Sequence, residues 1–146
     1  MIGWGTTATA TTVIGLGIVV LAALHHAPQA ALPDPALTPG ALASHSAAEV
    51  CGPGYAHTHR VWGPHEKYTI TLPRYGIPAR DGHLFEDDDL IPVCAGGDNA
   101  DPRNHWPQPW AAARIKDEEE AHYCRAVCAG SVSLDQAQDH FRHWGR

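Results

Sequence analysis

The chain has 146 residues, which is enough for one small domain with appendages. Lysine and arginine number 10 against 16 aspartate and glutamate residues, so the formal net charge is -6. This charge argues against simple binding to the phosphate backbone of nucleic acid, which normally relies on a surplus of basic residues. The composition also excludes a disordered chain, because 44% of the residues are hydrophobic and 5 tryptophans can anchor a core.

The first 26 residues predict a signal peptide or a membrane anchor. Residues 13–24, VIGLGIVVLAAL, are an uninterrupted apolar run with the length of a signal-peptide core, which is short for a bilayer span. No Lys or Arg precedes the run, which is atypical of a signal peptide, and extension back to Thr6 gives a stretch long enough to cross a membrane. Both interpretations export the rest of the chain, as a periplasmic or secreted protein or as one anchored to the membrane. A segment with neither role is the third alternative.

Residues 27–48 are rich in alanine and proline, almost uncharged and without periodicity, and they predict an extended linker. A folded domain of residues 49–146 is expected to follow, beginning with the turn sequence CGPGY. Residues 68–72, YTITL, alternate and are β-branched, which predicts a strand. A second strand is expected within residues 84–93.

The C-terminal part of the chain predicts two helices. Residues 110–129 contain good helix formers and one apolar side, and Gly130 suits the position just beyond a helix end. Ser133 and Gln136 have the spacing of a capping box at the start of a last short helix. Two short strands, a polar loop and a helix make a small α+β domain, to which the last helix is an addition.

Four cysteines lie in the predicted domain, and they are Cys51, Cys94, Cys124 and Cys128. An even number in a short exported domain predicts two disulfides. Cys124 and Cys128 lie one helical turn apart, where a bond between them seldom has suitable geometry. Each is therefore expected to pair with one of Cys51 and Cys94. A zinc cluster is the alternative, but no second close pair of Cys or His completes it.

The candidate site lies in residues 83–110, HLFEDDDLIPVCAGGDNADPRNHWPQPW. Its four consecutive acids, Glu86–Asp89, repel one another, and a divalent cation is one common way to relieve that repulsion. A solvated strand edge is the simpler interpretation of the same run. Basic residues nearby could approach a phosphate or neutralise these acids, and they are Arg103, Arg114, Lys116 and Arg125.

The order of Asp88, Gly96-Gly97 and residues 104–107 resembles the HNH endonuclease family, which has a ββα-metal fold. The resemblance covers residues 75–130 and is most specific at LIPVCAGGDNADPRNHWPQP. It implies hydrolysis of phosphodiester bonds, in which a histidine activates water, an asparagine holds that histidine and a divalent ion stabilises the leaving oxygen. The implied cofactor is Mg²⁺, Mn²⁺ or Zn²⁺, and the implied partner is nucleic acid, with DNA ahead of RNA.

The resemblance also assigns roles to individual residues. Asp88 matches the metal-binding aspartate, and Asn104 matches the orienting asparagine. On the predicted helix the position after Glu120 is Ala121, which cannot bind metal, so the second metal ligand would be a substitute, with Glu120, His122 and His105 as the alternatives. The position of the family's general-base histidine is Asp89, a weaker base by its reference pKa of about 3.9. His105 stands beside Asn104 where the family usually has leucine, and we infer that a base or a metal ligand has moved there.

These departures favour a second hypothesis from another functional class. The domain would be a catalytically degenerate HNH-like fold that is kept as a structural or binding module in the cell envelope. Three features support it, namely the missing histidine at Asp89, a residue without ligand atoms at Ala121, and the negative charge. Metal binding discriminates between the hypotheses, because the nuclease needs a divalent ion and the degenerate module does not.

Overall fold

The computed structural model describes residues 32–146, so the predicted signal peptide or anchor lies outside the described residues. The described chain is mixed helix and strand, as the α+β prediction requires. No helix within this part is long and apolar enough to span a membrane. The main elements are α1 (Ala47–Val50), α2 (Tyr55–Thr58), α3 (Pro64–Glu66), a π-helical turn (Lys67–Thr71), α4 (Leu72–Arg74), β1 (Phe85–Asp89), β2 (His105–Pro109), α5 (Trp110–Cys128) and α6 (Leu134–Arg142). Three 3₁₀ turns lie at Ala79–Leu84, Val93–Ala95 and Pro102–Asn104.

Strands β1 and β2 form an antiparallel pair, with Phe85 opposite Pro109 and Asp89 opposite His105. Helix α5 follows β2 in the chain and contacts both strands, so β1, β2 and α5 form one packed unit. The sequence analysis did not predict β2, because its two prolines, Pro107 and Pro109, argue against a strand. They are tolerated because both strands of a two-stranded sheet are edges, where a missing N–H group does not interrupt a second ladder.

The strand predicted at residues 68–72 is wrong. These residues belong to a helical segment that runs through α3, the π-helical turn and α4. Leu72 is buried with Ile77 and Phe85 in a small apolar cluster, whereas Tyr68 is exposed. β-branched residues favour a strand locally, but within residues 32–146 strand β1 pairs with β2 and leaves these residues without a strand partner. The burial of one side of a helix therefore outweighs the local preference.

Both predicted C-terminal helices are present. Helix α5 ends at Cys128, and Gly130 follows with a φ of 73°, the left-handed conformation expected just beyond a helix end. Helix α6 begins at the capping box that Ser133 and Gln136 form. Both predictions depended on local spacing, which the surrounding structure does not override here.

The two disulfides are Cys51–Cys128 and Cys94–Cys124, which confirms that each helical cysteine pairs with an upstream one. They attach α5 to the end of α1 and to the turn that follows β1. No cysteine of the described chain is free, so the zinc alternative has no thiolate ligands. Two disulfides indicate an oxidising environment, as in an exported protein.

The described part of the predicted linker lies against the domain. Thr38 is fully buried, and the Gly40 N–H donates to the Arg103 carbonyl at 3.1 Å. The N–H groups of Ala43 and Ser44 both donate to the Gly96 carbonyl, at 2.9 and 3.2 Å. From Thr38 to Ser44 this stretch is therefore part of the packed structure rather than a free spacer.

The segment that follows β1 is tightly enclosed. Ile91 is fully buried and belongs to the main apolar core, together with residues of α5 and α6. Gly97 approaches it so closely that a Cβ atom there would lie 1.7 Å from the Ile91 carbonyl oxygen. A glycine is therefore required at this position, and its approach fixes the end of β1 against the loop that leads to β2.

Candidate active site

The acidic run is divided between two faces of β1, because side chains alternate along a strand. Asp87 and Asp89 share the face on which Trp62 and His105 lie. Asp88 lies on the other face, towards α5. The sequence presents these acids as one cluster, but the strand separates them into two environments with different chemistry.

Asp89 is held by two amide side chains. Asn99 Nδ2 donates to Asp89 Oδ1 and Oδ2 at 3.2 and 3.1 Å, and Asn104 Nδ2 donates to Oδ1 at 3.2 Å. Burial is the main cause that raises the pKa of Asp89 to about 7, and the neighbouring carboxylate of Asp88 raises it further. A carboxylate with such a pKa is a stronger base than an ordinary aspartate. Its pKa lies near neutral pH, as suits a general base that works there.

Asn104 is fully buried and braces the end of β1. Its Oδ1 accepts from the Ile91 N–H at 3.0 Å, and its Nδ2 donates to the Ile91 carbonyl at 2.9 Å. The same Nδ2 reaches Asp89. The predicted orienting asparagine therefore contacts the residue at the predicted base position, and it positions Asp89 through the backbone as well as directly.

His105 lies behind the site, with 1% of its surface exposed. Its ring stacks on Trp62 with centroids 4.2 Å apart, and its Nε2–H donates to the Asn99 carbonyl at 3.0 Å. Nε2 also lies 3.4 Å from Asp89 Oδ1, while Nδ1 lies 3.7 Å from Asp87 Oδ1. Burial lowers the pKa of His105, which favours the neutral ring. In this position His105 can support Asp89, and its role as a base or a metal ligand stays a prediction.

The two predicted metal ligands, Asp88 and Glu120, are bridged by Lys116. Lys116 Nζ lies 2.8 Å from Asp88 Oδ2, donates to the Asp89 carbonyl at 2.6 Å and donates to Glu120 Oε1. Burial would lower the pKa of Lys116, but the two carboxylates raise it above its ordinary value, so the side chain is charged. A divalent ion does not fit this arrangement, because an ammonium group already lies between its predicted ligands.

No group of three or more His, Cys, Asp or Glu side chains within residues 32–146 is arranged to hold a metal ion. The dependence on Mg²⁺, Mn²⁺ or Zn²⁺ stays a prediction from the resemblance.

A cavity of about 270 Å³ opens over the two faces of β1. Six carboxylates line it, and Arg60 is the one exposed cation among its lining residues. Its carboxylates are Glu86, Asp87, Asp88, Asp89, Asp117 and Glu120. A phosphate group would meet strong repulsion here unless some of these carboxyl groups carry protons.

We expect the protein to be more stable at pH 6 than at pH 8. Burial, with Asp88 next, raises the pKa of both Glu86 and Asp89 to about 7, from ordinary values of 4.5 and 3.8. Between the ordinary pKa values and about 7, the folded protein keeps protons on these carboxyl groups that the unfolded chain has released. The free energy of unfolding therefore falls as the pH rises towards and through 7. Burial also raises the pKa of Asp87 and Glu120, which adds to the trend, whereas the buried neutral His105 opposes it below pH 6.5, as one group against four.

Thermal unfolding followed by circular dichroism measures this effect, and the melting temperature should rise by about 5 °C from pH 8 to pH 6. Glu86→Gln removes one of these carboxyl groups and should reduce the difference. A melting temperature that is flat or that falls over this interval contradicts the raised pKa values.

Two side chains of the site were missed by sequence reasoning. Trp62 covers His105 and donates from Nε1 to Asp87 Oδ2 at 2.9 Å, although it lies 25 residues before Asp87. Asn99 accepts on Oδ1 from the N–H groups of Val61 and Trp62 at 2.6 and 2.8 Å, besides holding Asp89. No local spacing connects these residues. The polar loop that contains Asn99 was the only signal.

The chain matches no protein-family model, no curated protein and no solved structure in the comparisons made with them.

Proposed function

We propose that this exported domain is an HNH-like endonuclease that hydrolyses phosphodiester bonds of nucleic acid. The observation that supports it is the β1–β2–α5 unit, in which Asp89, with a pKa of about 7, borders an open cavity. Asn99 and Asn104 hold both of its oxygens in place. The order of elements is the one that the HNH resemblance implies.

In the proposed reaction, Asp89 accepts a proton from a water molecule in the cavity. The resulting hydroxyl oxygen forms a bond to phosphorus, the bond from phosphorus to the leaving oxygen breaks, and that oxygen takes a proton from solvent. Asn99 and Asn104 are positioning residues, because they contact Asp89 and not the substrate. Arg60, which lines the cavity, is the side chain placed to approach a phosphate oxygen. No step is assigned to a metal ion.

The second candidate is a catalytically degenerate HNH-like module with a structural or binding role in the cell envelope. The carboxylate lining of the cavity favours it, since six acids face a single arginine. Such a negatively charged surface repels a polyanion and attracts a basic partner. The fold is the same under both candidates, so cleavage has to be measured.

Replacing Asp89 by asparagine is expected to reduce plasmid nicking about 100-fold or more, because the base is lost while the side-chain shape is kept. The assay uses the oxidised protein with supercoiled plasmid, in parallel with Mg²⁺, Mn²⁺, Zn²⁺ or a chelator. The matched control is Asp139→Asn on α6, the same chemical change at a side chain that is 70% exposed. It should leave nicking unchanged.

Nicking that survives in Asp89→Asn would remove this residue from the reaction. If the wild-type protein nicks under none of the four conditions, the binding module becomes the better description. A search for basic envelope partners would then follow, and the same Asp89→Asn protein would serve to test whether binding uses this cavity.

A further inference from the structure

We propose that Lys116 is the built-in cation of this site, so that the wild-type protein binds no divalent ion between Asp88 and Glu120. The ammonium group would supply, as a fixed part of the chain, the positive charge that these carboxylates would otherwise take from a metal. The inference concerns the proposed active site, but it holds or fails whether or not that site cleaves a phosphodiester bond.

The first argument is the environment of the ammonium group. Lys116 is fully buried, and an ammonium group has three N–H donors. Its three neighbours are the carboxylate oxygens Asp88 Oδ2 and Glu120 Oε1 and the carbonyl oxygen of Asp89. Carboxylate and carbonyl oxygens are the ligands that hard divalent cations choose in proteins. The lysine therefore has the oxygen neighbours expected of a metal ion.

The second argument is how the chain builds this arrangement. Lys116 and Glu120 are four residues apart on α5, so they share one face of the helix. Asp88 comes from the face of β1 that α5 covers, and Phe141 of α6 places its ring 5.5 Å from Nζ. Three elements, β1, α5 and α6, thus enclose the ammonium group. A surface lysine that folds back onto its own helix would not be enclosed in this way.

The third argument is the repulsion between the acids of β1. The sequence indicated that a cation is one way to relieve this repulsion, and the structure places Lys116 Nζ 2.8 Å from Asp88 Oδ2. A divalent ion could enter only by displacing the buried ammonium group or by lying beside it against its charge.

The experiment measures Mn²⁺ binding directly, by electron paramagnetic resonance and calorimetry on the oxidised protein at pH 7.5. Wild-type protein is expected to bind no ion at this place. Lys116→Ala is expected to bind one ion, with an affinity at least tenfold above any Mn²⁺ binding that the wild type shows. Arg114→Ala is the matched control, because it removes the same charge from an exposed position on the same helix. It should behave as the wild type. Lys116→Ala combined with Asp88→Asn should lose the new site.

Two results would overturn the inference. One is a wild-type protein that binds a single Mn²⁺ ion and loses it in Asp88→Asn. The other is a folded Lys116→Ala protein that binds Mn²⁺ no better than Arg114→Ala does. If Lys116→Ala unfolds in the absence of metal, Mn²⁺ should restore its circular dichroism spectrum, and a failure to restore it also counts against the inference. Plasmid nicking is a separate readout, so the fate of the proposed hydrolysis does not decide this question.

Discussion

Removing the Cys51–Cys128 disulfide is expected to lower the free energy of unfolding by about 4 kcal/mol. The bond connects residues that are 77 apart in the chain, so it restricts the unfolded state over most of the described sequence. A domain of this size has roughly 5–15 kcal/mol of stability in total, which makes this one bond a large share of it. The same bond fixes the end of α5 against α1, at the far end of the helix that carries Lys116 and Glu120.

Urea unfolding of Cys51→Ser combined with Cys128→Ser measures this effect, and replacing both cysteines avoids a free thiol. The matched control is Cys94→Ser combined with Cys124→Ser, whose residues are 30 apart. The shorter loop is expected to cost less, about 3.5 kcal/mol. A loss below about 1 kcal/mol for the first pair, or the reverse order of the two pairs, would contradict the argument from loop length.

The parts of the fold that could be predicted from the sequence depend on neighbours along the chain. Helix α5, Gly130 beyond it, the capping box of α6 and the pairing rule for the cysteines all follow from spacings of a few residues. The sequence predicted a strand at residues 68–72 wrongly and missed strand β2 for the opposite reason. Their state depends on which segment pairs with β1, and that choice is made by burial across the whole domain.

The candidate site divides in the same way. The spacing of Lys116 and Glu120 on one helix face is readable from the sequence, but their contact with Asp88 requires the placement of α5 on β1. The acidic run indicated a need for positive charge. It could not indicate whether a metal ion or a lysine supplies it, because both meet the same electrostatic need.

Replacing Asn104 by alanine is expected to lower the free energy of unfolding by about 4 kcal/mol. The change removes both side-chain partners of Ile91 and leaves its N–H and carbonyl groups without them in a fully buried place. Each buried backbone group that loses its partner costs about 1–3 kcal/mol. The cavity that forms adds to the loss. If the domain cleaves nucleic acid, activity should fall as well, because Asp89 loses one of its two amide donors.

Asn104→Asp distinguishes the brace from simple volume, since it keeps the shape and the acceptor for the Ile91 N–H. It loses the Nδ2 donors and places a second carboxylate beside Asp89, so its folded-state pKa should rise. The variant is then expected to be closer to the wild type at pH 5 than at pH 8, because a protonated carboxyl group can again donate a hydrogen bond. Urea unfolding at both values tests this. An equal loss at both would mean that the amide hydrogens of Asn104 contribute little, and that packing alone holds the end of β1 in place.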